Sequence, residues 1–174
     1  DHMSILSLSS TWSVASLLRT TASSRDPVTG GLLYHALIDT GALITGLSNL
    51  KVASFLLDHG LQNFVDAVVF LDEDDRKVAL MRESRRVIPL DQCGVPPERR
   101  FAFYDQVHTT GIDIRHCLEA KSALTIGKDM VFRDLAQGAY RMRGLGNGQK
   151  ITIFITPEIN SLMNQQLNQC SHGV

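Results

Sequence analysis

Short apolar runs recur along this chain, separated by polar segments rich in Gly, Asp, Asn and Ser. The runs are Leu32 to Asp39 (LLYHALID), Val65 to Leu71, Phe101 to Tyr104, Ala123 to Ile126 and Ile151 to Ile155. They are near-continuous and rich in β-branched or aromatic residues, which suits strands buried on both faces of a parallel sheet. Between the first two, Val52, Ala53, Leu56 and Leu57 form a stripe at helical spacing, with Ser48 placed to cap it and Gly60 to end it. Lys77 to Arg82 follows the acidic turn Asp72-Glu73-Asp74-Asp75 and reads as a hairpin return outside the main alternation. Val95-Pro96-Pro97 reads as a linker. A helix is predicted from near Phe132 to Gly144, where Gly146 and Gly148 limit continuation. Near the start, Ile5, Leu8, Trp12 and Ala15 predict a helix over about 5–19. Asp26-Pro27 and Gly30-Gly31 then mark a loop. The Asn/Gln-rich tail after Glu158 reads as a frayed helix. No internal repeat is visible. The pattern predicts an α/β, three-layer domain with a mostly parallel sheet.

With 174 residues and 44% hydrophobic content, the chain can bury one core. Residues 1–3 (Asp-His-Met) look like a cloning scar, so the natural protein is expected to begin upstream. Residues 4–31 form a Ser/Thr-rich helix and linker, 32–158 the main domain, and 159–174 the tail. Residues 4–25 also have the composition of a transit peptide, a reading that an internal segment makes idle. A net charge of −1 gives no bulk electrostatic case for nucleic acid or an anionic membrane. Arg82, Arg85, Arg86, Arg99 and Arg100 nevertheless lie close in sequence, as a local basic groove or a solvated loop. Three cysteines without Cys-x-x-Cys spacing argue against a disulfide framework or a sequence-local zinc site. They suit a reducing, intracellular compartment, cytoplasmic or nuclear. No apolar run approaches the ~20 residues that span a bilayer.

In an open parallel sheet, functional residues gather past the carboxyl ends of the strands. Two polar segments fall at such places: Thr109 to Ile114 (TTGIDI), and Gln137 to Arg143 within the predicted helix. Gln137 and Arg141 are four apart and share a helical face, while Leu135, Ala139 and Met142 lie on another. Periodicity alone leaves that polar face open between solvent and a ligand. Gly41 to Ser48 has the Gly and Ser spacing of a phosphate loop, but Leu47 stands where the lysine must be. No ATP site is therefore expected there. For thiol chemistry, Cys117 follows His116 and Cys93 could meet His108, yet neither spacing supports an activated pair.

Gln137-x-x-x-Arg141 resembles the Gln-x-x-Gly-Arg-x-x-Arg motif of the second RecA-like lobe of superfamily-2 helicases. Thr110-Gly111-Ile112-Asp113-Ile114 resembles the Gly-x-Asp turn that precedes it in that lobe. The resemblance implies a RecA-like domain of the P-loop NTPase fold that is incomplete as an enzyme alone. Arg141 and Gln137 would then face the phosphates of ATP bound by another lobe. Thr110, Gly111, Asp113 and Arg143 would couple nucleotide to nucleic acid. It implies no cofactor in this segment, ATP with Mg in the parent protein, an N-terminal RecA-like lobe as partner, and no membrane. Tyr140 replaces the family's Gly, and Arg143 follows Arg141 by two residues instead of three. A two-residue step turns a helix by about 200°, so the two arginines cannot both face one ligand without loosening near Gly144.

Longer phrases, ALIDTGALITGLSN, DQVHTTGIDI and GKDMVFRDLAQGAYRMRGLGNGQ, resemble a segment of very large eukaryotic proteins of unknown function. Some members carry the label ubiquitin thioesterase, which implies a thiol hydrolase. A rival resemblance is to retropepsins. Leu37-Ile38-Asp39-Thr40-Gly41-Ala42 is similar to their active-site turn, and Ile126-Gly127-Lys128-Asp129 to their later signature. That reading implies Asp39, Thr40 and Gly41 in a dimer with two carboxylates sharing a proton. It also requires an all-β frame, which the helical stripes oppose.

Overall fold

The computed structural model describes residues 3–108, 120–128 and 148–171. Its described strands are β1 (Met3–Ser7), β2 (Ala36–Ile38), β3 (Ala67–Leu71), β4 (Lys77–Met81), β5 (Val87–Pro89), β6 (Arg100–Tyr104), β7 (Lys121–Thr125) and β8 (Lys150–Ile155). They form one sheet in the order β1-β8-β7-β2-β6-β3-β4-β5. From β1 to β3 every pairing is parallel, and β4 and β5 extend that edge as antiparallel strands. The helices are α1 (Val14–Ser23), α2 (Asn49–Leu56) and α3 (Pro157–Ser171).

Consecutive strand residues enter opposite cores. Leu37, Val68, Phe101, Phe103 and Phe154 belong to one cluster, together with Leu17 and Leu18 of α1 and Val52 and Leu56 of α2. Ala36, Ile38, Val69, Tyr104 and Leu124 belong to the other, which Ile159 of α3 joins. Burial on both faces explains why the strands read as continuous apolar runs. Helices on both faces make this a three-layer α/β fold with a mostly parallel sheet. Among the described residues, no helix is long and apolar enough to cross a membrane.

Local chemistry sets the helix ends. Ser13 and Ser16 form a capping box at the start of α1, each side chain bonding the other's backbone N–H. Ser48 Oγ accepts from Lys51 N–H at 3.2 Å and caps α2. Beyond α2, Gly60 has φ +150°, and a Cβ there would lie 2.5 Å from the Ala22 carbonyl oxygen. Only glycine lets this turn close on the end of α1. Arg25 clamps the same junction, donating to Ala22 O at 2.7 Å and Gly60 O at 2.6 Å, with its guanidinium over Phe64.

The amino-terminal expectation is corrected. In place of a helix over 5–19, Met3–Ser7 is a strand and the helix starts at Val14. Met3 to Ser7 pairs in register with Ile151 to Ile155, and the Ser13 cap sets the later helix start. The β5 strand was not predicted either. It has three residues, one of them proline, and leaves almost no periodicity to detect. The helix predicted over 132–144 lies outside the described residues.

Candidate functional site

The carboxyl ends of the parallel strands lead into Asp39 after β2, Asp72 after β3, Asp105 after β6, Ile126-Gly127 after β7 and Thr156 after β8. At the centre, the loop from Asp39 to Ser48 connects β2 to α2. Asp39 is 2% exposed, and its own backbone bonds Tyr104 O. Its Oδ1 accepts from Leu43 N–H at 3.0 Å and from the Thr125 hydroxyl at 2.6 Å, and its Oδ2 accepts from Ile44 N–H at 3.0 Å. Burial pushes this carboxyl above its ordinary range; the bonds from Thr125, Ile44 and Leu43 pull against that, and the charge of Asp105 adds to the rise.

A second contact fixes where the loop starts. Gly41 N–H donates to both the carbonyl and the hydroxyl oxygen of Thr125, each at 3.1 Å. A Cβ on Gly41 would lie 2.5 Å from the Ile126 carbonyl carbon and 2.6 Å from Gly127 N. The two glycine-bearing loops therefore meet backbone to backbone. Ala42 takes a positive φ of 53° as the loop turns back over Asp39. Thr40 Oγ1 is buried without a hydrogen-bond partner among the described residues.

The loop has the strand–loop–helix course of a phosphate loop, but its inward-facing amides already hold an anion. Leu43 and Ile44 direct their N–H groups at the chain's own carboxylate. With Leu47 in the lysine position, the loop has neither an empty anion seat nor a counter-charge. The same geometry bears against the retropepsin alternative. Asp39, Thr40 and Gly41 do meet Ile126 and Gly127, but at the ends of central parallel strands in an α/β sheet. The all-β frame that reading needs is absent, and both Asp39 oxygens are occupied within the chain.

Among the described residues, two clefts open beside this loop. One, of about 470 Å³, is lined by Trp12, Gly41, Gly127, Lys128, Thr156 and Glu158, among others. The other, of about 560 Å³, lies between the start of α2 and the β3–β4 turn. Thr110, Gly111, Asp113, Gln137, Arg141, Arg143, His116 and Cys117 lie outside the described residues. The chain enters 109–119 from the carboxyl end of β6 and 129–147 from that of β7.

Of the arginines read as either a local basic groove or a solvated loop, three are paired with acids. Arg82 and Arg99 both pair with Asp66, at 3.1 and 3.0 Å, and Arg85 pairs with Asp58 at 2.7 Å. Cys93 is a free thiol packed against the second core. Among the described residues, no group of three or more His, Cys, Asp or Glu is placed to hold a metal. What sequence reasoning missed was Thr125 as the partner of Asp39. A lone Thr at a strand end gives no signal until the neighbouring strand is known.

No protein-family model, curated protein or solved structure matches this chain.

Proposed function

We propose that this chain is the second RecA-like lobe of a larger helicase-like protein, coupling nucleotide bound by a preceding lobe to work on nucleic acid. One observation carries the reading. β6 and β7 flank β2 in parallel, so the connections bearing Thr110, Gly111 and Asp113, and Gln137, Arg141 and Arg143, start from the carboxyl ends of the two strands on either side of β2. The strand between them has a loop filled by Asp39, so the phosphates must come from elsewhere. ATP and Mg belong to the preceding lobe, and the setting is intracellular.

In this reading Arg141 meets the charge that develops on the transferred phosphoryl group, and Gln137 shares its helical face. The test is ATP turnover by the protein carrying both lobes. Arg141→Ala is expected to lower kcat by about 10³–10⁵, the range typical of an arginine finger. Arg143→Ala is expected to cost under about 1 kcal/mol of stability and little turnover. The 174-residue chain alone is expected to hydrolyse no ATP. Equal, small effects of both substitutions would leave the likeness one of fold only. Robust turnover by the isolated chain, lost in Arg141→Ala, would overturn the division of labour.

A further inference from the structure

We propose that the cleft between the start of α2 and the β3–β4 turn docks a basic segment of a partner protein, anchored by an aliphatic or aromatic side chain. The cleft measures about 560 Å³, and its floor is apolar, built from Phe70 and Leu71 of β3. Leu50 of α2 and Val87 of β5 line it while 43% and 41% exposed. Exposed aliphatics flanking an apolar floor suit one inserted side chain.

The rim decides the charge of the occupant. Asp72, Glu73 and Asp74, with Asp105 beside them, line the cleft, and among the described residues Arg76 is the cation that lines it. That cation is already engaged, with Arg76 Nε 2.9 Å from Asp72 and Nη2 3.1 Å from Asp74. Asp72 is further held by the N–H groups of Asp74 and Arg76, which fixes the turn that presents Glu73. Glu73 is exposed and has no hydrogen-bond or ion-pair partner among the described residues. In a chain whose formal net charge is only −1, this is a concentrated acidic rim. It repels phosphates, which excludes nucleotide and nucleic acid as occupants. A small polyamine would satisfy the rim but leave the apolar floor uncovered. A segment with Lys or Arg around a Leu, Ile or Phe satisfies both.

The test uses the whole chain and short fluorescein-labelled peptides read by fluorescence anisotropy. A Lys/Leu peptide is expected to bind and to weaken steeply with added salt. Matched Lys/Ser and Glu/Leu peptides are expected to bind at least roughly tenfold more weakly. Glu73→Lys and Leu50→Ser, both on exposed positions and checked by thermal melting, should each weaken the Lys/Leu peptide roughly fivefold or more. Glu98→Lys, outside the cleft, should leave it unchanged. The proposal fails if no peptide binds, if the Lys/Ser peptide binds as well as Lys/Leu, or if Glu73→Lys and Leu50→Ser have no effect. It fails equally if a single-stranded oligonucleotide competes for the site.

Discussion

The loop from Asp39 to Ser48 runs between two clefts of similar size and different lining. On the β7–β8 side, Gly41 and Gly127 bring bare backbone to the surface, Lys128 supplies a cation and Glu158 an acid, and Thr156 precedes α3. On the β3–β4 side the lining is largely apolar and acidic, and Arg76, its cation among the described residues, is paired with Asp72 and Asp74. Both lie at the carboxyl edge of the sheet, where topology alone places a ligand site. Topology therefore does not separate them. Side-chain chemistry does: the first carries one cation and one acid, Lys128 and Glu158, whereas acids predominate along the second. The docking proposal belongs to the second cleft and can fail without touching the helicase-like reading, whose residues lie outside those described.

The largest expected effect comes from the glycine contact that shapes the first cleft. In Gly41→Ala the new Cβ meets backbone of Ile126 and Gly127 at 2.5 and 2.6 Å. Backbone cannot rotate aside as a side chain can. A loss of about 2–3 kcal/mol or more is expected, read as a lower urea midpoint. Below its melting temperature the variant should still bind the Lys/Leu peptide like the parent, because the other cleft does not touch this contact. A midpoint unchanged within error would mean that the two loops do not meet as described.

Asp39→Ala tests the filled anion seat. Removing the carboxylate orphans the Leu43 and Ile44 amides and the Thr125 hydroxyl, and each buried orphan costs about 1–3 kcal/mol. Relief of a buried charge offsets part of that, so the net loss should be about 1–3 kcal/mol. The vacated amides should then accept an external anion. Added phosphate is expected to raise the variant's melting temperature more than the parent's. An equal response of both proteins would refute the account of the loop as self-occupied.

These contrasts show which parts of the molecule the sequence could reveal. Five strand runs, the Ser48 cap and the acidic hairpin turn were legible, because burial on both faces and capping leave short-range signatures. The extent of the first run was not: LLYHALID reads as one strand, but only Ala36–Ile38 pairs, since Arg25 bridges Leu32 and Asp26 turns the chain just before. The strand at Met3–Ser7 was hidden because its partner is β8, at the other end of the chain, and because its Met3 and Ile5 are exposed. The site divides the same way. Asp39, Gly41 and Gly127 stood out as signatures, but what they do depends on Thr125, a neighbour 86 positions away. The acidic turn was visible as a turn, while its partnership with Leu50 and Val87 required the fold.

The smallest expected effect lies away from both clefts and serves to calibrate them. Asp26 accepts from Lys121 Nζ at 2.7 Å and from the N–H groups of Val28 and Thr29, tying the 26–31 turn to the start of β7. The Lys121 bond first, then the two amides, hold its carboxyl down at about 2 from an ordinary 3.8. Because the folded value is depressed, the stabilisation is complete above the unfolded value and is lost as pH falls through the folded one. The urea midpoint of the parent should therefore drop between about pH 4 and pH 2, and Asp26→Asn should flatten that part of the fall. Asp66, held by Arg99, and Asp72, held by its turn amides and Arg76, are also depressed and contribute in the same direction. Asp39, shifted upward by burial, works the other way. The informative quantity is thus the difference between parent and variant at each pH. At neutral pH, Asp26→Asn should leave Lys/Leu peptide binding untouched, whereas Glu73→Lys should weaken binding and leave the Asp26 part of the acid slope intact. Parallel pH profiles for parent and Asp26→Asn would show that the Asp26–Lys121 pair contributes nothing to stability, and a loss of peptide binding in that variant would show that the acidic cleft responds to charge anywhere on the molecule.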